Sequence, residues 1–234
     1  MRRLAIAFLL GLTLPLIALL RFPMPAPVIV PTPTPQGADS FQPETLTTPH
    51  EGVRVVILGD STVVNAAALL PSDSACEVVN GAYNAQQAHE AHLRYIQDVV
   101  PLKPDAVLVM LPAAHLHFRH PSVAGDDLAL YVEAMEVIAA QEDHTLIWLA
   151  PPISESESVP QFLPRWANPP ISHLEYAQQI DVLNRVLMDR GTRFVPSPDI
   201  YMATDFEDAT HLNERGHLMM AEWLDEELIQ DLCR

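Results

Sequence analysis

The 234-residue chain carries 30 Asp and Glu against 13 Lys and Arg, a formal net charge of -17, and is 49% hydrophobic with 22 Pro, 8 Gly and two Cys. Such acidity excludes a nucleic-acid binder, whose phosphate contacts need clustered Lys and Arg, and a charge-driven dock on anionic lipid. Cys76 and Cys233 are too few for a disulfide-dense scaffold or a Cys-rich zinc site.

The charge is unevenly spread. Residues 1–50 hold Arg2, Arg3 and Arg21 against Asp39 and Glu44, a net of +1, so residues 51–234 carry -18. The chain opens Met1-Arg2-Arg3, and an uncharged apolar run of 17 residues, Leu4 to Leu20, precedes Arg21. A positive start before an apolar run is an export signal. Residues 1–21 are read as a signal anchor, a membrane helix with the rest of the chain outside the cytoplasm, or as a signal peptide that is cleaved to leave a secreted protein. No small-x-small cleavage site stands clear of Pro23, Pro25 and Pro27. Residues 22–50 hold eight of the 22 prolines. Alternating Pro favours extended polyproline II and forbids a helix, which makes a semi-rigid linker.

Residues 51–234 alternate strand-like and helix-like stretches. Short β-branched or apolar runs stand at Val53–Leu58, Glu77–Val79, Ala106–Leu111, Thr145–Ala150 and Arg193–Val195. Between them, helical spacing covers Thr62–Leu70, Gln86–Val100, Asp126–Gln141, His173–Arg190 and Glu214–Leu232. This alternation predicts a three-layer α/β/α sandwich on a five-stranded parallel sheet. The continuous apolar strand Ala106–Leu111 fits a strand covered on both faces. In such sheets ligands bind beyond the carboxyl ends of the strands.

Three strand ends carry candidate chemistry. Gly59-Asp60-Ser61-Thr62 follows the first strand and places Ser61 at a helix start, where free N–H groups favour a negative oxygen. Asp60 or Ser61 also suits a plain N-cap there. Asn80-Gly81-Ala82-Tyr83-Asn84 follows the second strand, and Gly81 lets a backbone N–H approach a ligand, or else simply makes a turn. Asp208-Ala209-Thr210-His211 precedes the last helix, for which Asn213 is the expected N-cap. A carboxylate three residues before a His can accept the Nδ1 proton and leave Nε2 as a base.

Taken in this order, the three blocks resemble the GDSL/SGNH hydrolase family over essentially all of residues 51–234. The resemblance implies a flavodoxin-like sheet and a serine esterase that cleaves small acyl esters. It implies Ser61 as nucleophile, His211 as general base and Asp208 as the residue orienting it, with the N–H groups of Ser61 and Gly81 forming the oxyanion hole. The absence of Gly-x-Ser-x-Gly separates the chain from the α/β-hydrolases.

One block departs from the family. The third strand is followed by Pro112-Ala113-Ala114-His115, and Ala114 stands where the family has an oxyanion-binding Asn. Losing one such donor costs about 10²–10³ in rate. Asn84, His115 and His117 are the candidate replacement donors. His115 and His117, joined by Asp60 and His211, would also make a zinc set, but the H-E-x-x-H signature is absent. The reading calls for no metal and no cofactor. His50, His144, His173 and His217 have no evident partner. The Pro-rich stretch 151–171 follows the fourth strand, and Phe162 and Trp166 within it either line a pocket or pack on one another.

The expected partners are a small-molecule or glycan ester and the membrane, through the N-terminal helix, with no nucleic acid. The triad serves an esterase acting on envelope carbohydrate or an O-acetyltransferase. Ala114 favours a third function, a non-catalytic glycan-binding module on a degenerate hydrolase fold.

Overall fold

The computed structural model describes residues 43–47, 52–71, 75–84, 88–111, 121–154, 173–199 and 201–234, all within the unit Phe41–Arg234. The Leu4–Leu20 run read as an anchor, the spacer up to residue 42, Ala114, His115, His117, Phe162 and Trp166 lie outside them. Among the described residues, no helix is long and apolar enough to cross a membrane.

The elements run β1 (Glu44–Thr45), β2 (Arg54–Gly59), α1 (Ser61–Ala67), β3 (Glu77–Asn80), α2 (Ala88–Arg94), β4 (Ala106–Met110), α3 (Pro121–Glu142), β5 (Thr145–Leu149), α4 (His173–Arg190), β6 (Phe194–Val195), α5 (Glu214–Leu224) and α6 (Gln230–Leu232). Each expected strand is present to within a residue or two at its ends. The second and last expected helices are interrupted. A wide turn at Tyr95–Val99 and a tight one at Val100–Leu102 end the first. There Pro101 lacks an N–H to donate, and Lys103 closes the turn in the left-handed region at φ 51°. A second wide turn, Asp225–Ile229, separates α5 from α6.

The sheet order is β1-β3-β2-β4-β5-β6. Its four parallel pairings join the five expected strands, with Val55 against both Val78 and Ala106, and Val107 against Leu146. The expectation of five parallel strands is corrected by a sixth, β1, which pairs antiparallel with β3 through Glu44↔Asn80 and Thr45↔Val79. It comes from the stretch read as linker. Two residues are too few to display a strand period, so this pairing was invisible in the sequence. It is held by backbone and by Thr47, whose hydroxyl donates to the Cys76 carbonyl at 3.0 Å and accepts from the Val78 N–H at 2.9 Å. The short strand covers an edge that would otherwise expose a row of unpaired groups.

Side chains alternate across the sheet and so feed two cores. On one face Val55, Ile57, Leu108, Met110, Ile147 and Leu149 meet α1 and α5. On the other, Val56, Leu58, Val107, Val109, Leu146 and Trp148 meet α2, α3 and α4. On α3 the buried face carries Leu128, Val132 and Met135. Each such side chain contributes about 1.5–3 kcal/mol by leaving water. Cys76 and Cys233 are joined in a disulfide with Cα atoms 5.4 Å apart, spanning 157 residues. It ties the end of the chain to the residue just before β3.

Candidate active site

β2 lies between β3 and β4, so chain direction across the sheet reverses at the carboxyl end of β2, the usual place for a site in such a sheet. Gly59-Asp60-Ser61 stands there. The Asp60 carboxylate accepts from the Thr62 N–H at 3.1 Å and caps α1, which leaves Ser61 as the first residue of the helix. Among the described residues no acceptor takes the Ser61 N–H. Gly59 is needed for a reason the sequence alone does not show. A Cβ on it would lie 2.8 Å from the Met110 carbonyl at the end of β4, so only glycine lets the Asp60–Ser61 turn sit against the neighbouring strand.

The Asp208–His211 segment is a loop held at both ends. Phe206 and Leu212 bridge across it, and the Glu207 N–H donates to the His211 carbonyl at 2.9 Å. Asn213, the expected cap of α5, accepts from the Gly216 N–H at 3.1 Å and donates from its amide to the Thr204 carbonyl at 2.7 Å. Inside this frame, His211 Nδ1 lies 2.9 Å from Asp208 Oδ2 and 3.0 Å from Oδ1. Nδ1 donates, because an ionised carboxylate only accepts, which leaves the lone pair of the neutral ring on Nε2. Asp208 Oδ1 also accepts from the N–H groups of Thr210 and His211, each at 2.9 Å, and from the Thr210 hydroxyl at 3.2 Å.

Electrostatics match this arrangement. The hydrogen bond to Asp208 raises the His211 pKa; burial works against it, and the charges of Asp208, Asp60 and Glu207 add to the rise. Burial works to raise the Asp208 carboxyl, but the bonds from His211 and Thr210 outweigh it and hold the carboxyl below its ordinary range. Burial raises Asp60, while its bonds to Thr62 and the nearby His211 lower it in part. His211 and the Asp60–Ser61 turn therefore share one electrostatic neighbourhood, although the residues lie about 150 positions apart in the chain.

Two sequence expectations change. Gly81 is corrected as an oxyanion donor. Its N–H donates to the Ile57 carbonyl at 2.7 Å, extending the β2–β3 ladder, so it is not free to bind a ligand. Glycine fits there because a Cβ would stand 3.2 Å from that same carbonyl. The loop continues along β2, with the Tyr83 N–H on the Gly59 carbonyl at 2.8 Å. Asn84 follows and is exposed. His144 and His217, for which the sequence suggests no partner, both have one. The Tyr95 hydroxyl meets His144 Nε2 at 2.6 Å, far from the site, and Asn65 Nδ2 meets His217 Nε2 at 3.5 Å beside it.

Two residues near the site escape sequence reasoning. Asp205 is fully buried, accepts from the Met202 N–H at 2.7 Å and pairs with Arg215 at 3.3 Å. Tyr176, in the first turn of α4, is buried against Ile180 and Ile153. Its hydroxyl is pushed up first by burial and then by the charges of Asp60 and Asp208. The apolar spacing of Tyr176, Ile180, Leu183 and Leu187 marks a core face, and nothing in that spacing marks the hydroxyl.

Gly216, in the first turn of α5, packs tightly beside the Asp208–His211 segment. A Cβ there would meet the Asp205 carbonyl at 2.4 Å and Leu212 at 2.9 Å. The first obstacle is backbone, so no rotamer change relieves it. Gly216→Ala is expected to cost about 2–3 kcal/mol, the scale of an overpacked core, and to displace His211. Thermal melting and the acid–base titration of the His211 ring by NMR would check it; an unchanged melting curve refutes the contact.

Neither a protein-family model nor a curated protein matches the chain in sequence. Solved structures match it in fold. An acetyl xylan esterase superposes with a TM-score of 0.54 at 13% identity, over 76% of this chain and 100% of that one. A protein from Desulfitobacterium hafniense assigned to the G-D-S-L lipolytic family gives 0.56 at 16% identity, over 76% and 100%. A lipase/acylhydrolase from Enterococcus faecalis gives 0.53 at 16% identity, over 76% and 96%. At these identities the likeness establishes the fold.

Proposed function

From a chain that carries the GDSL/SGNH hydrolase fold, we propose a serine esterase that removes small acyl groups, acetyl foremost, from carbohydrate. The observation carrying this reading is the Asp208–His211 pair, hydrogen-bonded at 2.9 Å and electrostatically coupled to the turn that bears Ser61. The acyl group and the sugar are suggested by the acetylxylan esterases among the similar structures.

In this reading Ser61 Oγ attacks the ester carbonyl carbon while its proton passes to His211 Nε2. The negative oxygen forms against the Ser61 N–H at the start of α1. The C–O bond to the alcohol then breaks, and His211 returns the proton to the leaving oxygen. Water, deprotonated by His211, releases the acyl group from Ser61. Asp208 holds the imidazole in the tautomer that each step needs. With Gly81 committed to the sheet and Ala114 lacking a side-chain donor, the remaining oxyanion donors are sought in Asn84, His115 and His117.

The place of action is outside the cytoplasm, held by the Leu4–Leu20 segment or released from it. The Cys76–Cys233 disulfide supports that reading, since such bonds persist in oxidising compartments. Ala114 together with the spent Gly81 N–H favours a second reading, a glycan-binding module without turnover. A fluorophosphonate probe separates the two, because it bonds only to an activated serine. Stoichiometric labelling of Ser61, absent in Ser61→Ala, is expected. No labelling in a correctly folded protein would decide for the binding module.

A further inference from the structure

We infer that Asn65 and His217 form a hydroxyl-binding subsite for the leaving alcohol, which makes the substrate an ester of a neutral polyol such as a sugar. The inference rests on the esterase reading. Asn65 follows Ser61 by one helical turn, the i,i+4 spacing that puts two side chains on one helix face. α1 packs on α5 through Val63, Ala66, Met220 and Leu224, and α5 carries His217 six residues beyond His211. The two polar side chains meet across that helix pair, with Asn65 Nδ2 3.5 Å from His217 Nε2.

The chemistry of the pair is defined. An amide nitrogen only donates, so His217 Nε2 accepts, and the neutral ring carries its proton on Nδ1. Burial favours this neutral form by lowering the His217 pKa; the bond to the Asn213 backbone opposes it, the charge of His211 lowers it further and that of Glu207 raises it. Apart from this bond, Asn65 has no partner among the described residues. Its second amide N–H and its carbonyl oxygen remain, one donor and one acceptor side by side. A hydroxyl, itself donor and acceptor, is their complement.

Position selects the leaving group. His211 must hand its proton to the departing oxygen, so the alcohol leaves on the histidine side of Ser61. His217 is close enough to His211 to feel its charge, and Asn65 meets His217, which places the pair on the histidine side. An alkyl alcohol would cover the amide without bonding it, which is costly. A carboxylated or phosphorylated alcohol would meet the negative charges of Asp208 and Glu207, both near His211. A neutral polyol avoids both penalties.

The test compares two acetyl esters of different alcohols. One is a monoacetylated methyl pyranoside with free hydroxyls beside the ester; the other is 4-nitrophenyl acetate, whose alcohol has no further hydroxyl. Asn65→Leu and, separately, His217→Phe are expected to lower kcat/KM for the sugar ester about tenfold more than for the nitrophenyl ester, mainly through KM. One or two lost hydrogen bonds of ordinary strength give that factor. His217→Gln, which keeps an acceptor, is expected to recover most of the loss. Free methyl pyranoside is expected to inhibit the wild type and to inhibit both variants less. If both esters slow in parallel, or the ratio stays fixed while wild-type turnover depends on Ser61, the subsite is wrong and the esterase stands. If wild type and Ser61→Ala act alike on both esters, the esterase reading fails and the subsite with it.

Discussion

Ser61→Ala is expected to lower kcat for acetyl ester hydrolysis by about 10⁴–10⁶, the range that follows loss of a serine nucleophile in hydrolases of this chemistry. The fold should survive. Ser61 is the first residue of α1, the cap is made by Asp60 rather than by the serine, and Ala is a good helix former. Stability is therefore expected to change by less than about 0.5 kcal/mol. Acetate release measured beside a melting curve tests both parts. An Ala variant within tenfold of the wild type, melting at the same temperature, would place the nucleophile elsewhere.

Asp208→Asn is expected to cost about 10³–10⁴ in kcat. An amide can turn its NH₂ toward Nδ1, which then has to accept. Nε2 then carries the ring proton and cannot accept the one from Ser61. The same change should reshape the pH dependence, and its sign can be worked out. The base acts only when neutral. Its pKa is raised above the ordinary value of 6.5, so kcat/KM should climb with pH through a midpoint above that value. The hydrogen bond to Asp208 is the first cause of the rise, so the midpoint should fall in Asp208→Asn. Stability runs the other way. The raised His211 contributes stability that is full below 6.5 and is lost as pH rises through the raised value. The lowered Asp208 contributes stability above the carboxylate range, lost as pH falls through its depressed value. The pair thus stabilises most between the two. A midpoint that stays in place in Asp208→Asn would remove Asp208 from its role.

The legible and illegible parts of this chain differ in kind. β2 to β6 and all the principal helices could be read because continuous apolar runs and three-to-four-residue spacing are local patterns. Asp60 and Asn213 could be read as caps because capping is chemistry over two or three residues. Asp208 and His211, three apart in one loop, could be read as a pair for the same reason. Misreadings arose where a backbone group had two possible partners. The Gly81 N–H can face a ligand or the Ile57 carbonyl, and only the register of β3 on β2 selects the carbonyl. β1 escaped because two residues have no period.

What the sequence determined by itself is therefore the alternation of strands and helices, an apolar run ahead of a Pro-rich stretch, the acidic balance, and three short blocks in the order in which they resemble one hydrolase family. What only the tertiary structure decided is proximity. It set the Ser61 turn against the end of β4, where a Cβ on Gly59 would clash with Met110. It brought His211 into the field of Asp60, Tyr176 into the field of both site carboxylates, Asn65 against His217, and Cys76 onto Cys233. The physical reason is that local patterns follow from the conformations open to a few neighbouring residues. The meeting of residues about 150 positions apart is settled by how two apolar cores pack on the faces of one sheet.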